Sequence, residues 1–160
     1  MPVVDVADFP STGPLLGLDP GTKTVGVASC DALRMIASPV ETIPKGRKLA
    51  PVLDRLFHLY DDRKAVGLVV GLPLNMDGSE NPVTPKARKF GNRLNGRYNL
   101  PVHMVDERLT TRDARTELYN AGVTESRHKP VLDKLAAQSI LQTFLTEHIK
   151  QQTGPERESD

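Results

Sequence analysis

The stretch LLGLDPGTKTVGVA, residues 15–28, constrains the fold more than any other part of the chain. Its first apolar run, residues 15–18, is typical of a buried strand, and residues 25–27 alternate as a half-buried partner strand does. Pro20 and Gly21 mark a tight turn between the two runs. The stretch therefore predicts a β-hairpin with the carboxylate of Asp19 at its bend. A carboxylate held in this way suits a metal ligand or a catalytic base, although a turn aspartate that bonds its own backbone has the same pattern.

Length and composition favour one soluble domain. A chain of 160 residues can bury a real core, and no apolar run approaches the ~18 residues of a membrane span. The N-terminus lacks the basic cluster of a signal peptide, and the single cysteine, Cys30, is expected as a small core residue in a reducing cytoplasm. We expect one folded domain over residues 14–150, flexible termini at residues 1–13 and 151–160, a cytoplasmic location and no membrane partner.

The charge is distributed unevenly along the chain. The formal net charge is +1, but residues 14–150 carry 20 basic and 15 acidic side chains, because five of the acids lie near the two ends. An excess of about five positive charges in the folded part mildly favours a polyanionic partner.

The order of predicted elements indicates an α/β fold with a five-stranded mixed sheet. After the hairpin, a third strand contains Pro39, which places it at a sheet edge or at a bulge. A continuous apolar run at residues 66–70 is typical of a strand buried on both faces. Three strands in sequence, followed by alternating helices and strands, predict a sheet covered by helices. The helix predicted over 49–61 is amphipathic, and the apolar residues that should pack on the sheet are Val52, Leu53, Leu56, Phe57 and Tyr60. The remaining predicted elements are a strand over 36–43, a helix from Thr84, the proposed N-cap, to about 95, a strand over 102–105, and helices over 112–120 and from about 132 to 150.

A loop at residues 71–80, GLPLNMDGSE, leaves the carboxyl end of the buried strand. Ligand crevices of open α/β sheets lie at this end of the strands, so the loop is a candidate functional segment. The sequence leaves the roles of Asn75 and Asp77 within it open.

Three carboxylates occupy positions from which they could meet. Asp19 ends the first strand, Glu107 follows the fifth, and Asp133 begins the last helix, on the same stripe as the apolar residues that should face the sheet. Three converging acids repel each other unless cations lie among them, and carboxylates suit Mg²⁺ or Mn²⁺. Two such ions are a common device for phosphodiester hydrolysis. An aspartate at a helix start can also simply interact with the helix dipole.

Basic residues form a stripe on the helix that begins at Thr84. This helix contains no acid, and its cationic stripe could follow a nucleic-acid backbone, although a solvated helix face has the same pattern. An aromatic content of 4% with no tryptophan argues against base stacking as the main mode of recognition. The four histidines show no ligand-like spacing, but His128 lies in a basic cluster before Asp133 and could touch a phosphate. The members of the stripe are Lys86, Lys89, Arg93 and Arg97.

Four motifs together resemble the YqgF family of bacterial nucleases, also called RuvX, which has an RNase H-like fold. They are LLGLDPGTKTVGVA, VVGLPLNMDGSENP, VDERLTT at residues 105–111, and VLD at residues 131–133 followed by LAAQSILQTFL. They occur in the family's order over roughly residues 14–149. The cluster Arg127-His128-Lys129-Pro130 departs from the denser lysine run of many members. The first motif is also similar to that of the RuvC resolvases, which lack the second and third.

The resemblance implies that Asp19, Glu107 and Asp133 are the catalytic, metal-binding acids of a nuclease. It implies a structured nucleic-acid substrate, with 5′-end processing of pre-16S ribosomal RNA as the assigned role and Holliday junction resolution of branched DNA as the older proposal. A non-catalytic nucleic-acid-binding module remains an alternative, and we expect a monomer or weak homodimer. A nucleotide-binding ATPase is less suited to the sequence, because such enzymes use two copies of this fold. The residues expected to bind nucleic acid are Lys23, Lys86, Lys89, Arg93, Arg97, Arg108, Arg127, His128 and Lys129.

Overall fold

A five-stranded mixed sheet forms the centre of the molecule. The computed structural model describes residues 9–106 and 135–147. The sheet has the order β3-β2-β1-β4-β5, in which β1, β2 and β3 run antiparallel and β1, β4 and β5 run parallel. This arrangement confirms the predicted fold class. The strands are β1 (Leu15–Pro20), β2 (Thr24–Cys30), β3 (Ala37–Pro44), β4 (Gly67–Leu72) and β5 (Val102–Asp106).

The predicted hairpin is formed by β1 and β2. Asp19 is paired with Gly26, and the turn is closed by the N–H of Gly21, which donates to the carbonyl of Thr24 at 2.8 Å. β3 is an edge strand, and its register with β2 shifts between Val27 and Ala28. Pro39 lies at this shift, so the structure has both the edge position and the irregularity that proline favours.

Helices cover both faces of the sheet. Helices α1 (Ala50–Asp62) and α2 (Thr84–Tyr98) pack on one face, where they share a buried cluster with Leu16, Leu18 and Val70. A helix over residues 135–147, which we call the C-terminal helical segment, covers the other face with Ile140 and Leu141. Within the described ranges, no helix combines the length and hydropathy needed to cross a membrane.

The C-terminal helical segment lies very close to β1. A Cβ at Gly17 would be 2.7 Å from Cβ of Leu141 and 2.9 Å from the carbonyl oxygen of Ala137. Since a side chain at residue 17 would push the segment away, the glycine sets the distance between strand and helix. Gln138 and Gln142 also bond the backbone of Ala37, at 2.9 Å and 3.3 Å.

Three sequence expectations need correction. Residues 9–13, placed in the flexible N-terminus, contact the fold: Phe9 is 5% exposed and packs edge-on against Phe144, because the sheet face has an apolar gap above Gly67. Phe57, expected on the buried face of α1, is 39% exposed and stacks on Tyr98.

The third correction concerns the start of α2. Thr84 is not the N-cap: Val83 holds that position without a side-chain cap. The carboxamide oxygen of Asn81 instead accepts hydrogen bonds from the N–H groups of Val83 and Thr84, at 2.9 Å and 3.3 Å. The hydroxyl of Thr84 donates to the carbonyl of Pro73, so it ties α2 to the preceding loop. The predicted helix over 112–120 lies outside the described residues, as do both ends of the last predicted helix.

Candidate functional site

Asp19 lies at the carboxyl end of β1, in the centre of the sheet. Leu15 and Gly17 face the C-terminal helical segment, and side chains alternate along a strand, so Asp19 belongs to the same face. Its side chain is half-buried. The acid is therefore held on a strand bonded on both sides, beneath the edge of a packed helix.

Glycines flank Asp19 on both neighbouring strands. Gly26 of β2 is its antiparallel partner, and Leu18 is aligned with Val70 of β4, so continuing that register places Gly71 beside Asp19. Neither glycine has a side chain to crowd the carboxylate. The two glycines come next to the acid through strand register, a feature that linear sequence spacing did not reveal.

The other two predicted acids, Glu107 and Asp133, lie outside the described residues. Glu107 is the next residue in sequence after Asp106, which ends β5 at the same edge of the sheet as Asp19. Asp106 shares its face with Val102 and Met104, which pack with α1 and α2. Residues 9–106 and 135–147 contain no group of three histidine, cysteine or acidic side chains that could hold a metal. Asp19 supplies a hard oxygen donor of the kind Mg²⁺ prefers, but a complete site needs ligands from beyond these ranges.

In the predicted loop over residues 71–80, the first two residues still belong to β4 and the others form a compact turn. The N–H of Asn75 donates to the carbonyl of Ser79 at 2.9 Å, and Gly78 adopts φ of 91°. The carboxylate of Asp77 accepts from the N–H and the hydroxyl of Ser79, at 2.9 Å and 2.6 Å. Asn75 and Asp77, whose roles the sequence left open, thus shape the turn.

The basic stripe of α2 lies on an exposed face. Lys86, Lys89 and Arg93 are exposed, and Arg97 forms an ion pair with Asp54 of α1 at 3.2 Å. The helix itself contains no acid, but at one end of the stripe a balancing acid comes from another helix. Arg88, which is off the stripe, likewise pairs with Glu80.

Of the remaining residues predicted to bind nucleic acid, Lys23 is the one within the part of the chain that the structure describes. Lys23 is exposed in the β1–β2 turn, close in sequence to Asp19. Among the histidines, His58 is exposed, and His103 contacts the rings of Phe9 and Phe144. Outside the described residues lie Arg108, Arg127, His128 and Lys129.

A pocket beside the β1–β2 turn contains a lysine that the sequence analysis missed. Its volume is about 260 Å³, and Lys45 enters it from the end of β3. Nζ of Lys45 donates to the carbonyl of Gly21 at 2.8 Å and lies 5.8 Å from the centre of the Phe90 ring. Burial, and then the positive charge of Lys86, lowers the pKa of Lys45. A linear pattern contains no signal for this role, because the proximity of Lys45 to α2 arises from tertiary packing.

Residues 13–147 match the RuvX family, which is described as Holliday junction resolvase. The chain belongs to the RuvX family. The match spans the hairpin and both sheet faces, so it includes the described site residues.

Curated relatives of this RuvX-family protein are similar over nearly their whole length. A protein of Rhodopseudomonas palustris is 43% identical over 91% of this chain and 89% of its own, and one of Cereibacter sphaeroides is 45% identical over 88% and 87%. A protein of Aeromonas salmonicida is 43% identical over 86% of this chain and 97% of its own. All three are named provisionally as pre-16S rRNA nucleases.

Solved structures confirm the RNase H-like fold. RuvC of T. thermophilus, in complex with a Holliday junction substrate, has a TM-score of 0.54 at 14% identity and covers 86% of this chain and 96% of its own. The yeast mitochondrial Holliday junction resolvase Ydc2 has a TM-score of 0.55 at 11% identity, covering 93% and 84%. At these identities the likeness concerns the fold alone.

Proposed function

We propose that this RuvX-family protein is a divalent-metal-dependent nuclease that hydrolyses phosphodiester bonds of structured nucleic acid. The observation that carries the proposal is the position of Asp19, a carboxylate at the carboxyl end of the central strand β1, where it pairs with Gly26. A carboxylate positioned by the central strand of the sheet suits metal-assisted hydrolysis. Relatives at 43–45% identity named as pre-16S rRNA nucleases support the same activity.

The metal site comprises Asp19, Glu107 and Asp133. Their carboxylates are hard oxygen donors that suit Mg²⁺ or Mn²⁺. When bound, such ions lower the pKa of a water and stabilise charge on a leaving oxygen. Asp19 contributes a ligand whose position is fixed by backbone pairing on both sides, so little reorganisation accompanies binding.

The chain's cations supply the affinity for the substrate. Lys86, Lys89 and Arg93 present an exposed positive face, and Lys23 lies in the turn after Asp19. Contacts of this kind bind phosphates without reading bases, which fits recognition by shape. In this proposal Arg108, Arg127, His128 and Lys129 also bind the substrate.

The substrate we propose is the 5′ region of precursor 16S ribosomal RNA, with cleavage during ribosome biogenesis in the cytoplasm. The curated names of the relatives support this choice. Branched DNA is the second candidate, because the family is described as a Holliday junction resolvase. We further propose one nuclease domain over residues 14–150 that works as a monomer or weak homodimer.

The experiment is to replace Asp19 by asparagine and to measure cleavage and binding of two probes. One probe is an RNA carrying the 5′ extension of 16S rRNA, and the other is a four-way DNA junction, each incubated with Mg²⁺. We expect Asp19→Asn to bind like the wild type but to cleave at least about 10²-fold more slowly, because a metal ligand is lost. Asp61→Asn, which makes the same change at an exposed position of α1, is the matched control and should leave cleavage unchanged.

Each result has a defined meaning. Undiminished cleavage by Asp19→Asn would refute the proposed site. Binding of both probes without cleavage by the wild type, at any Mg²⁺ or Mn²⁺ concentration, would favour the non-catalytic module. A higher cleavage rate on the junction than on the RNA would reverse the order of the two substrates.

A further inference from the structure

The pocket beside the β1–β2 turn has the composition of an anion site. Its lining is mostly apolar with one threonine, Thr22, and its two charged groups are both lysines, Lys45 and Lys86. Among the described residues that line it, none is acidic. The volume of about 260 Å³ is several times the ~30 Å³ that one water occupies in the liquid. The full set of lining residues is Pro20, Gly21, Thr22, Lys45, Val83, Lys86, Ala87 and Phe90.

The two lysines differ in how firmly they are held. Lys45 is half-buried, and its ammonium is fixed by the carbonyl of Gly21 and by the face of the Phe90 ring. Its backbone N–H also donates to the carbonyl of Lys23 at 2.8 Å. Lys86 is exposed, on the first turn of α2. One cation is therefore already oriented, and the second can adjust to a ligand that enters from solvent.

The two like charges line the same pocket. Burial, and then the positive charge of Lys86, lowers the pKa of Lys45. An anion between them would relieve the repulsion and would gain two charge-assisted hydrogen bonds.

The pocket adjoins the strand end that carries the acid. Pro20, which lines the pocket, follows Asp19 directly in β1. Because side chains alternate along a strand, Asp19 lies on one face of the sheet and the pocket on the other. A nucleic-acid strand that crosses this edge of the sheet would therefore meet both features in succession.

We propose that Lys45 and Lys86 bind one backbone phosphate of the substrate strand, adjacent to the phosphate that is cleaved. The inference rests on the proposed nuclease function and adds a specific subsite to it. In this subsite Lys45 is a preformed phosphate ligand at the hairpin turn. The apolar wall formed by Ala87 and Phe90 contacts the adjoining sugar, so binding does not depend on base identity.

The first test measures binding by charge-neutralising variants of the full-length protein, in EDTA so that no cleavage occurs. We expect Lys45→Gln and Lys86→Gln each to weaken binding of the RNA or the junction by about tenfold. The double variant should lose little more than either single variant, because both lysines hold the same phosphate. Lys45→Arg should retain most of the affinity. The matched control is Lys48→Gln, an exposed lysine three residues away that does not line the pocket.

The second test locates the phosphate. A set of DNA probes, each with one neutral methylphosphonate, is bound to the wild type and to Lys45→Gln. We expect one position next to the cleavage site to weaken wild-type binding and to have no effect on the variant. Equal sensitivity of both proteins at every position would overturn the inference.

Further outcomes separate this inference from the proposed function. If the wild type cleaves and Lys45→Gln and Lys86→Gln both bind normally, the subsite is refuted and the nuclease stands. If the wild type neither binds nor cleaves either probe, the proposed function itself fails. Calorimetry with inorganic phosphate tests whether the pocket binds a free anion instead. If the wild type binds phosphate, Lys45→Gln does not, and Lys45→Gln still binds nucleic acid with normal affinity, the assignment to a backbone phosphate is overturned. Circular dichroism checks that each variant is folded. If Lys45→Gln does not fold, the Lys86→Gln variant still provides the binding test, because Lys86 is exposed.

Discussion

A methyl group at Gly17 would lie 2.7 Å from Cβ of Leu141, closer than two such carbons approach in folded proteins. Gly17→Ala must therefore displace the C-terminal helical segment from β1, and we expect a loss of about 1–3 kcal/mol in the free energy of unfolding. Urea denaturation measures it. Gly46→Ala is the matched control, because a Cβ there meets nothing within 4 Å, and it should change stability by less than about 0.5 kcal/mol. Equal stability of the two variants would contradict the close packing.

Arg34 fastens the segment before β1 to the β2–β3 connection. Its guanidinium is buried and donates to the carbonyls of Gly13 and Pro10, each at 2.8 Å. Arg34→Ala leaves both acceptors without this donor and should destabilise the fold by about 1–3 kcal/mol. Arg34→Lys should recover only part of that loss, because an ammonium lacks the planar fork that spans two acceptors. Thermal unfolding of both, compared with exposed Arg47→Ala, tests this; a similar melting temperature in all three would argue against the role of Arg34.

The stripe of α2 should contribute unequally to nucleic-acid binding. Arg97 is engaged by Asp54, whereas Lys89 and Arg93 are exposed and form no ion pair with the residues that the structure describes. We expect Lys89→Gln and Arg93→Gln each to reduce the slope of log affinity against log salt by about 0.7–0.9, the value for one phosphate contact. Arg97→Gln should reduce it less. Filter binding at several salt concentrations measures the slopes, and an equal or larger effect of Arg97→Gln would show that its ion pair opens on binding.

Cys30 should be unreactive in the folded protein. The thiol is buried and its sulfur accepts a hydrogen bond from the N–H of Leu15 at 3.3 Å. Burial raises the pKa of the Cys30 thiol above its ordinary value, so less thiolate is present at pH 8 than in the unfolded chain. Alkylation by iodoacetamide should be much slower in buffer than in urea; comparable rates would contradict the buried position.

The raised pKa of the Cys30 thiol also determines how its contribution to the free energy of unfolding changes with pH. A raised pKa means that the neutral thiol is the form the fold prefers, so its contribution is complete below the pKa of the unfolded thiol and is lost as the pH rises through the folded one. Cys30→Ala should remove this alkaline sensitivity.

The sequence predicted the elements well where the pattern is local. The hairpin at Asp19, the edge position of Pro39 and the apolar strand β4 each follow from residues that are neighbours in the chain. Their physical basis is turn chemistry and the alternation of side chains, which act within a few residues.

Errors arose where distant residues decide the outcome. Phe57 stacks on Tyr98 instead of packing in the core, and Arg97 forms an ion pair with Asp54. Tyr98 and Asp54 both lie on a different helix from the residue they contact. Lys45 lines the pocket because β3 ends beside α2. For the candidate site, the sequence singled out Asp19, but the glycines beside it follow from strand register, which a linear pattern does not contain.

The central position of β1, between the antiparallel and the parallel halves of the sheet, has a consequence for how the protein folds. On one side, β1, β2 and β3 join through short connections and can form from contacts close in sequence. On the other side, Leu16 pairs with Leu68, and Leu68 pairs with Val102. Two long loops must therefore close before the parallel half of the sheet can form. Asp19 belongs to the part that can form early, whereas the strand leading to Glu107 belongs to the part that forms late. Recovery of cleavage during refolding should therefore lag behind formation of the hairpin, and activity would report completion of the slowest step.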